Sequence, residues 1–329
     1  MKIGILGASG AVGREMIKIL EERSFPVSEL RLFSSARSAG QTLTYKGTPV
    51  RLSEAREDSF DGLDVVLGAA QNPVAKYFAP FIVRSGAVFI DNSSAFRMEP
   101  DVPLIVPEIN PEDAKKHAGI ISNPNCSTII TLTGVNAIHK LSPIADMVVS
   151  TYQATSGAGQ AGPVELRAEE QAIFTGETVT PSVFAHRIAE NLIPCIGSPS
   201  TENYTTEEMK LQNEGRKILH APELLVSCTC VRVPVFRSHS ISALVHTKDV
   251  LPLETVRSAL AEAPGVRLTD DLESGLYPMP LDTSDQDLVF VGRIRKDLTR
   301  ENGINLFMAG DQIRKGAATN AVQIAELLN

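Results

Sequence analysis

The run Lys2-Ile3-Gly4-Ile5-Leu6-Gly7-Ala8-Ser9-Gly10-Ala11-Val12-Gly13 opens the chain and decides its fold. Residues 2–6 predict a buried strand, and the amphipathic run from Ala11 to Arg23 predicts a helix. Backbone N–H groups and the helix dipole at the glycine turn between them favour a pyrophosphate. The spacing is G-x-x-G-x-x-G rather than the commoner G-x-G-x-x-G, so the alternative is a purely structural turn. We predict a dinucleotide site with Gly7, Ser9, Gly10, Ala11, Val12 and Gly13.

The strand signals that follow alternate with helical or loop segments, which is typical of a parallel, doubly wound sheet. These strands are predicted at Glu29–Phe33, Val65–Ala69, Val88–Asp91 and Ile120–Ser122. The first half of the chain is therefore expected to be an α/β domain of the Rossmann type. The amphipathic segment from Asp311 to Leu328 predicts a helix that packs back against this domain.

After about residue 127 the pattern changes to longer alternating strands, which predict a mixed or antiparallel sheet and hence an α+β second domain. These strands are predicted at Met147–Thr155, Ser227–Val235, Ser240–Thr247, Leu288–Arg295 and Ile304–Ala309. The last follows Asn302-Gly303, a dipeptide favoured in tight hairpins. The stretch 162–219 predicts a helical insertion, with one helix capped by Thr205 and Glu208.

Length and composition fit a folded enzyme of two domains. The chain has 329 residues, of which 43% are apolar and 21% charged, with a formal net charge of −8. An acidic chain without a long Lys/Arg cluster argues against nucleic acid or an anionic membrane as partner.

Four cysteines favour a reducing compartment, and we expect a cytoplasmic protein. We expect no metal site, because Cys228, Cys230 and His239 lack a further ligand pair.

The end of the second predicted strand indicates which dinucleotide is bound. NAD enzymes carry Asp or Glu there to hold the ribose hydroxyls. This chain instead has Ser34-Ser35-Ala36-Arg37-Ser38, which offers a planar cation and hydroxyl donors for a 2′-phosphate. We therefore predict NADP, with contacts from Ser35, Arg37 and Ser38, against the alternative that Arg37 is only a surface residue.

Cys126 is the candidate nucleophile. Asn123-Pro124-Asn125-Cys126-Ser127-Thr128 precedes the apolar run from Ile129 to Ile138, which places this thiol at the beginning of a predicted helix. A helix N-terminus stabilises a thiolate. A buried cysteine is often inert packing, but the preceding dinucleotide site favours catalysis.

Four segments together resemble the aspartate-semialdehyde dehydrogenase family along essentially the whole chain. They are the glycine turn, Asn123-Pro124-Asn125-Cys126, Gln153 with Ser156-Gly157-Ala158-Gly159, and the run from Val226 to Ser240. The resemblance implies Cys126 as nucleophile, His239 as general acid/base and Gln153 as the residue that orients the covalent intermediate. It also implies cofactor contacts from Ser156, Gly157 and Gln312. For His239 and Gln153 the alternative is an ordinary polar position on a strand.

The resemblance implies a reversible reaction that joins phosphate, an amino-acid aldehyde and NADP to give an acyl phosphate and NADPH. This step belongs to the biosynthesis of lysine, threonine, methionine and isoleucine. By resemblance the substrate and phosphate contacts are Arg97, Asn125, Glu207, Lys210 and Arg232. Glu207 and Lys210 lie three apart on a predicted helix, so the alternative is a solvated surface ion pair.

The change of strand pattern and the resemblance together indicate the domain boundaries, the oligomer and the competing functions. We expect an NADP-binding domain at 1–127, completed by 311–329, and a catalytic and dimerisation domain at 128–310, in a homodimer or homotetramer. One rival is N-acetyl-glutamyl-phosphate reductase, whose acetylated substrate needs no partner for an ammonium group. The other is a catalytically silent NADP-binding dimer, which the presence of Cys126 and His239 disfavours.

Overall fold

The computed structural model describes residues 1–329, and the chain divides into two compact units. The first unit comprises residues 1–125 and 317–329, and the second comprises residues 126–316. The α-helices are α1 (Ala11–Glu22), α2 (Asn72–Arg84), α3 (Cys126–Leu141), α4 (Ala161–Thr175), α5 (Thr206–Ile218), α6 (Leu253–Ala261), α7 (Pro280–Thr283) and α8 (Thr319–Glu326). None of them is long and apolar enough to cross a membrane.

The first unit contains a seven-stranded sheet in the order β3-β4-β2-β1-β5-β6-β7. Its strands are β1 (Lys2–Leu6), β2 (Glu29–Ser34), β3 (Thr42–Tyr45), β4 (Thr48–Glu54), β5 (Val65–Gly68), β6 (Val88–Asp91) and β7 (Ile120–Ser122). All pairs are parallel except the β3–β4 hairpin at the edge. The predicted doubly wound sheet and its predicted strands are therefore confirmed.

The β3–β4 hairpin was not predicted from the sequence, for a physical reason. Its strands are short and largely exposed, so burial imposes little apolar alternation on them. The turn is Lys46-Gly47, and both residues have positive φ (48° and 75°). That conformation suits a two-residue hairpin, but a lysine at its first position is a weaker signal than asparagine or aspartate.

The sheet of the first unit is buried by two apolar clusters. One contains Ile3, Ile5 and Leu20 together with Ala321 and Ile324 of α8. The other is aromatic and includes Phe33, Phe60 and Phe89. The C-terminal helix is thus part of the core of the first unit, where each buried aliphatic side chain contributes about 1.5–3 kcal/mol.

The second unit contains a six-stranded mixed sheet in the order β11-β12-β13-β10-β8-β9. Its strands are β8 (Ile144–Gln153), β9 (Leu225–Arg232), β10 (His239–Thr247), β11 (Val266–Leu268), β12 (Val289–Lys296) and β13 (Gly303–Gly310). β8–β9 and β11–β12 are parallel pairs, and the others are antiparallel. The predicted mixed sheet is confirmed.

Helix α3 packs on one face of this sheet, against β8, β10, β12 and β13. Its residues from Ser127 to Ile138 are all buried. A side chain at Gly134 would collide with Met308 of β13, so this glycine permits the close approach. The sheet therefore fixes the position of α3 and of Cys126 at its first turn.

Two expectations for the second unit need correction. Asn302-Gly303 does not form a two-residue hairpin, because residues 297–302 connect β12 to β13 and Gly303 already belongs to β13. A side chain at Gly303 would collide with Asp297, so close packing explains the glycine. The insertion 162–219 is only partly helical, although the predicted capping box of Thr205 and Glu208 is present.

Between α4 and α5 the chain is held by carboxylates rather than by helical hydrogen bonds. Glu165 accepts hydrogen bonds from the backbone N–H groups of residues 182–184, and Glu169 accepts them from Ile188 and Ala189. These bonds lower the pKa of Glu165 against the opposing effect of desolvation. Two residues of α4 thus provide hydrogen-bond acceptors for the backbone N–H groups of a loop. The polar sequence had predicted this loop as helix.

Candidate active site

The sheet of the second unit brings three predicted site residues to one edge. β8 ends at Gln153 and the parallel strand β9 ends at Arg232, and these two residues are in register. β10 runs antiparallel to β8 and begins at His239, next to the paired residues Ser240 and Tyr152. Because strand ends that share an edge lie about 5 Å apart, the three side chains come from neighbouring positions.

Cys126 is the first residue of α3, as the sequence predicted, and it is partly exposed. The amides of the first helical turn stabilise negative charge at this position. Gly316 packs directly against it, and a β-carbon at residue 316 would lie 2.9 Å from the Cβ atom of Cys126. On this side Cys126 is therefore packed against a position where only glycine fits without displacement.

His239 is completely buried and held by the backbone of Ala154. The Ala154 N–H donates a hydrogen bond to Nδ1 of His239 over 3.1 Å. The Nε2 atom is also buried and makes no hydrogen bond within the protein. Desolvation first, and the charge of Arg232 second, lower the pKa of His239 to about 3, while Glu207 acts in the opposite direction. The imidazole is therefore neutral at physiological pH.

Arg232 is anchored at the same residue and packs against an aromatic ring. Its Nη1 atom donates a hydrogen bond to the carbonyl oxygen of Ala154 over 2.6 Å. The guanidinium carbon lies 5.7 Å from the centre of the Phe184 ring. Desolvation lowers the pKa of Arg232, and the negative charges of Cys126 and Glu207 oppose that shift. A buried cation of this kind attracts both a thiolate and a substrate carboxylate.

Glu207 and Lys210 form an ion pair with an N···O distance of 2.6 Å, but it is not a solvated surface pair. The side chain of Glu207 is only 10% exposed and that of Lys210 is 28% exposed. The other oxygen of Glu207 accepts a hydrogen bond from the Gln153 amide over 3.3 Å. The predicted substrate residues on α5 are therefore connected to the predicted catalytic residue on β8.

Gln312 connects the residue that precedes His239 to the loop that follows β8. Its carbonyl oxygen accepts a hydrogen bond from the Ser238 N–H over 2.9 Å, and its amide donates to the Ser156 hydroxyl. Ser238 is a buried non-glycine residue with φ +71°, a conformation that needs support from its surroundings. Both ends of the Gln312 amide are engaged in this way, and its contact with the cofactor stays a prediction.

Position 157 has to be glycine because two side chains pack closely against it. A β-carbon at this residue would lie 2.8 Å from Nη1 of Arg232 and 3.1 Å from Cε1 of His239. The loop after β8 therefore lies directly against the histidine and the arginine. The contacts of Ser156 and Gly157 with the cofactor stay predictions.

The predicted dinucleotide loop belongs to the first unit and has the expected local geometry. Gly7 has φ +88°, and a side chain there would lie 2.6 Å from the carbonyl oxygen of Ala69. Gly13 packs against the backbone of Gly7 and Ala8, where a side chain would collide. Gly10 is the N-cap of α1, and no side chain caps the first amides of the helix, an arrangement that suits an anion.

Arg37 lies in the turn that follows β2, and its side chain is exposed. Strands β1 and β2 are parallel neighbours, so this turn and the glycine loop leave the sheet at the same edge. Ser35 is exposed and Ser38 partly exposed in the same turn. This arrangement suits a cation and hydroxyls placed beside the ribose of a dinucleotide.

Arg97 is a buried residue of the first unit. Its Nε atom donates to the carbonyl oxygen of Asn123 over 3.0 Å, and Nη2 donates to that of Asn92 over 2.8 Å. The Asn123 amide in turn contacts Asn92 and Asn320. Asn125, which follows this network and precedes Cys126, is also buried. The phosphate contact of Arg97 and the substrate contact of Asn125 stay predictions.

Sequence reasoning missed the residues that act through backbone or packing. Ala154 holds both His239 and Arg232 through its own N–H and carbonyl groups, and no side-chain pattern marks it. Gly316 lies in the segment from Asp311 to Leu328 that was predicted as a helix, and its contact with Cys126 depends on the fold. No group of three or more His, Cys, Asp or Glu residues is arranged to hold a metal ion.

Comparison with known families identifies both halves of the chain. Residues 2–117 match the model described as semialdehyde dehydrogenase, NAD binding domain, and residues 135–315 match semialdehyde dehydrogenase, dimerisation domain. A relative from Synechocystis sp., named aspartate-semialdehyde dehydrogenase, is 47% identical over all of this chain and 97% of its own length.

Solved structures agree with these matches. Aspartate semialdehyde dehydrogenase II from Vibrio cholerae, complexed with ASA, is 41% identical with a TM-score of 0.97, covering 99% of this chain and 97% of the other. The enzyme from Candida albicans with NADP is 26% identical with a TM-score of 0.76, covering 99% and 98% of the two chains. With these matches and this arrangement of Cys126 and His239, the chain belongs to the aspartate-semialdehyde dehydrogenase family of oxidoreductases.

Proposed function

We propose that this enzyme catalyses the reversible, NADPH-dependent reductive dephosphorylation of 4-phospho-L-aspartate to L-aspartate 4-semialdehyde and phosphate. The observation that carries the proposal is one thiol at a helix N-terminus in the same unit as a buried histidine, a buried arginine and the Glu207–Lys210 pair. The relatives that support it are named for the semialdehyde, and one neighbour was solved with ASA. This function belongs to the biosynthesis of lysine, threonine, methionine and isoleucine.

Cys126 is the proposed nucleophile. Its thiolate attacks the acyl carbon, and expulsion of phosphate leaves a thioester. The first-turn amides of α3 and the charge of Arg232 both favour the thiolate over the thiol. Because Gly316 has no side chain, its backbone can approach Cys126 closely.

NADP is the proposed cofactor, and the residues of the first unit fit it. When bound, its nicotinamide supplies the hydride that reduces the thioester carbonyl. Gly7, Gly10 and Gly13 permit close approach of a pyrophosphate to the amides of α1. Arg37 would pair with the 2′-phosphate, which is what distinguishes NADP from NAD. We accordingly assign dinucleotide binding to the first unit and catalysis to the second.

The substrate is proposed to bind through its two charged ends. The planar guanidinium of Arg232 can hold the α-carboxylate with two hydrogen bonds. Glu207 can pair with the α-ammonium, and its hydrogen bond to Gln153 connects amine recognition to the residue that orients the intermediate. A free amine is required for the first contact to be favourable, because an acetylated nitrogen carries no charge. This argues against N-acetyl-glutamyl phosphate as the substrate.

Phosphate is proposed to bind Lys210, whose ammonium group is held in place by Glu207. Arg97 is a second proposed contact, predicted from the resemblance and located in the first unit. A compact ammonium and a planar guanidinium make different hydrogen bonds, so the two cations are not interchangeable.

The enzyme is proposed to work as a homodimer in the cytoplasm. Helix α3 covers only one face of the second sheet, and on the opposite face Val148 is 51% exposed. Tyr152 and Phe307 stack on that face with ring centres 6.3 Å apart. A partly exposed sheet face that carries apolar and aromatic side chains among polar ones is a suitable interface for a second copy of the chain. The match of residues 135–315 to a dimerisation domain supports the proposal.

A steady-state assay tests the proposed function directly. L-aspartate 4-semialdehyde or N-acetyl-glutamate semialdehyde is mixed with phosphate and NADP, and NADPH is followed by absorbance. We expect turnover with the free-amine aldehyde only, and only when phosphate is present. Equal turnover with the acetylated aldehyde would reject the substrate assignment, and no turnover with either would reject the enzymatic function.

A further inference from the structure

The outer edge of strand β9 is covered by side chains of helix α5. β9 is the last strand of the second sheet, so no strand of the sheet lies beside its outer edge. Glu208 accepts a hydrogen bond from the Cys230 N–H over 3.1 Å, and Gln212 accepts one from the Val226 N–H over 3.0 Å. Because residues four apart on a helix share a face, one face of α5 takes the place of the missing strand.

A third residue of the same face extends this row of contacts. Arg216, four residues after Gln212, donates a hydrogen bond to the carbonyl oxygen of Leu224 over 2.7 Å, just before β9 begins. At the other end of the strand, the backbone groups of Arg232 exchange two hydrogen bonds with Ile193. Helix α5 is therefore held in one register along the length of β9.

Glu208 differs from the other two residues because it also caps the helix. Its Oε2 atom accepts the N–H of Thr205 over 2.7 Å, while the Thr205 hydroxyl accepts the N–H of Glu208. Its Oε1 atom is the one that accepts the Cys230 N–H. The side chain is buried, and both of its oxygens are in use. One carboxylate thus joins the first turn of α5 directly to β9.

The two elements that Glu208 joins carry the charged residues of the proposed substrate site. Glu207 is the preceding residue of α5, and its carboxylate accepts a hydrogen bond from Gln153. Arg232 lies two residues after Cys230, so these two side chains point to the same face of β9. A movement of α5 along β9 would therefore change the distance between the Glu207 carboxylate and the Arg232 guanidinium.

We propose that Glu208 is a positioning residue for substrate binding, because its carboxylate sets the distance between Glu207 and Arg232. The inference rests on the proposed function, in which Glu207 pairs with the ammonium group of the substrate and Arg232 with its carboxylate. Both oxygens of Glu208 already accept backbone N–H groups, so it acts through its neighbours and not on the substrate itself. Two charged groups on one carbon atom require partners at a fixed separation.

The competing role for Glu208 is cover of the sheet edge alone. A helix laid over an edge strand prevents that strand from pairing with another chain. Gln212 performs this task as well, with the same kind of hydrogen bond one turn further from Arg232. If edge cover is the whole role, variants of Glu208 and Gln212 lose stability and activity in parallel. If Glu208 positions the site, only its variants change substrate binding.

The first test compares the kinetics of Glu208→Gln and Gln212→Ala. The glutamine of Glu208→Gln keeps the shape but replaces one acceptor by an amide donor, so one of the two N–H groups loses its partner. We expect the KM for L-aspartate 4-semialdehyde to rise about ten-fold. The kcat should change much less, because Cys126 does not lie on α5, and NADP affinity measured by calorimetry should not change. Gln212→Ala should keep the wild-type KM.

Glu208→Asp separates position from charge. It keeps the carboxylate, but its shorter side chain cannot reach both N–H groups, so we expect the KM to rise in this variant too. A wild-type KM in Glu208→Asp beside a raised KM in Glu208→Gln would assign the effect to charge and overturn the inference. Equal rises in Glu208→Gln and Gln212→Ala would also overturn it. If Glu208→Gln does not fold, the comparison of Glu208→Asp with Gln212→Ala decides.

The second test measures hydrogen–deuterium exchange of the unliganded protein with residue resolution. We expect Glu208→Gln to accelerate exchange at the amides of Thr205 and Cys230, and Gln212→Ala to accelerate it at Val226. Unchanged exchange at both Thr205 and Cys230 would overturn the inference.

The two tests separate failure of the inference from failure of the proposed function. If the wild-type enzyme does not turn over the semialdehyde, the proposed function fails, while the exchange rates still show whether Glu208 joins α5 to β9. If the wild type is active and the variants of Glu208 and Gln212 have the same KM, the proposed function stands and the positioning role is rejected.

Discussion

The dinucleotide loop of the first unit and the active-site edge of the second unit use different kinds of contact. In the first, glycines keep backbone amides accessible and Arg37 extends from an exposed turn. In the second, His239, Arg232 and Glu207 are buried or nearly so, and each is held by another residue of the site. The proposed dinucleotide site thus depends on a short local motif, whereas the proposed catalytic site depends on the register of three strands and the start of one helix.

This difference predicts how mutations act. A substitution in the exposed turn should remove one contact and leave the rest of the protein unchanged, so its effect should be confined to one ligand. A substitution in the buried cluster should change several hydrogen bonds together, since residues in contact do not act independently. The following variants test this contrast, in order of decreasing effect.

The largest effect is expected for Cys126→Ala. The variant cannot form a thioester, and we expect turnover to fall by at least about 10⁴-fold. NADP affinity measured by calorimetry should be unchanged, because the loop that binds it is a separate element. Cys195→Ala, which removes an exposed thiol from the same unit, is the control and should keep full activity. Near wild-type turnover in Cys126→Ala would remove this residue from the mechanism.

Arg37→Ala should reduce the preference for NADP by tens-fold. A charge-assisted hydrogen bond contributes about 1.5–3 kcal/mol, which corresponds to about 10- to 150-fold in affinity. The dissociation constants for NADP and NAD are compared in the variant and in Arg56→Ala, which removes another exposed arginine of the first unit. We expect only Arg37→Ala to weaken NADP, with NAD unaffected. Equal weakening of both cofactors would indicate a structural role for Arg37.

Lys210→Met should weaken phosphate about ten-fold, or about 1.4 kcal/mol, with NADP affinity unchanged. The methionine keeps most of the stem and removes the charge. The control is Lys115→Met, because Lys115 forms an ion pair of the same spacing with Glu112 that is fully solvated. The measurement is phosphate saturation in the oxidative direction. Unchanged saturation in Lys210→Met would leave Lys210 as a partner of Glu207 only and the phosphate site to Arg97.

The last effect concerns stability at low pH rather than activity or ligand affinity. The pKa of His239 is about 3 in the folded enzyme and 6.5 in the reference state, so below pH 6.5 the unfolded chain binds a proton that the folded chain does not. Its contribution to stability is complete above pH 6.5 and decreases by about 1.4 kcal/mol per pH unit as the pH falls toward 3. Denaturant unfolding from pH 7 to 5 should therefore be less pH-dependent in His239→Gln than in wild type. Equal slopes would mean that the histidine is not held neutral.

The same contrast explains what the sequence could predict. The glycine turn, the strands of the first sheet and the helix start at Cys126 follow local rules, and the structure confirms them. The capping box of Thr205 and Glu208 could also be predicted, because it depends on only four consecutive residues. The ion pair on α5 could be predicted from its spacing, but not its burial, because burial depends on the packing of α5 against β9 and α3, which are distant in sequence.

The features that the sequence did not predict are those determined by long-range packing. Ala154 has no functional side chain, and its role depends on β10 lying beside β8 so that His239 meets its N–H group. Gly303 was interpreted through turn chemistry, whereas the fold requires it because Asp297 packs against it. The loop between α4 and α5 is polar, and its N–H groups donate to Glu165 and Glu169, contacts that helical periodicity cannot reveal.

The most direct test of the central claim is a single turnover without phosphate. Enzyme is mixed with L-aspartate 4-semialdehyde and NADP, NADPH is followed by absorbance, and the protein is quenched for peptide mass spectrometry. We predict one NADPH per active site and an aspartyl thioester on the peptide that contains Cys126, which added phosphate then removes. The absence of a burst, or an adduct on any other residue, would contradict the account.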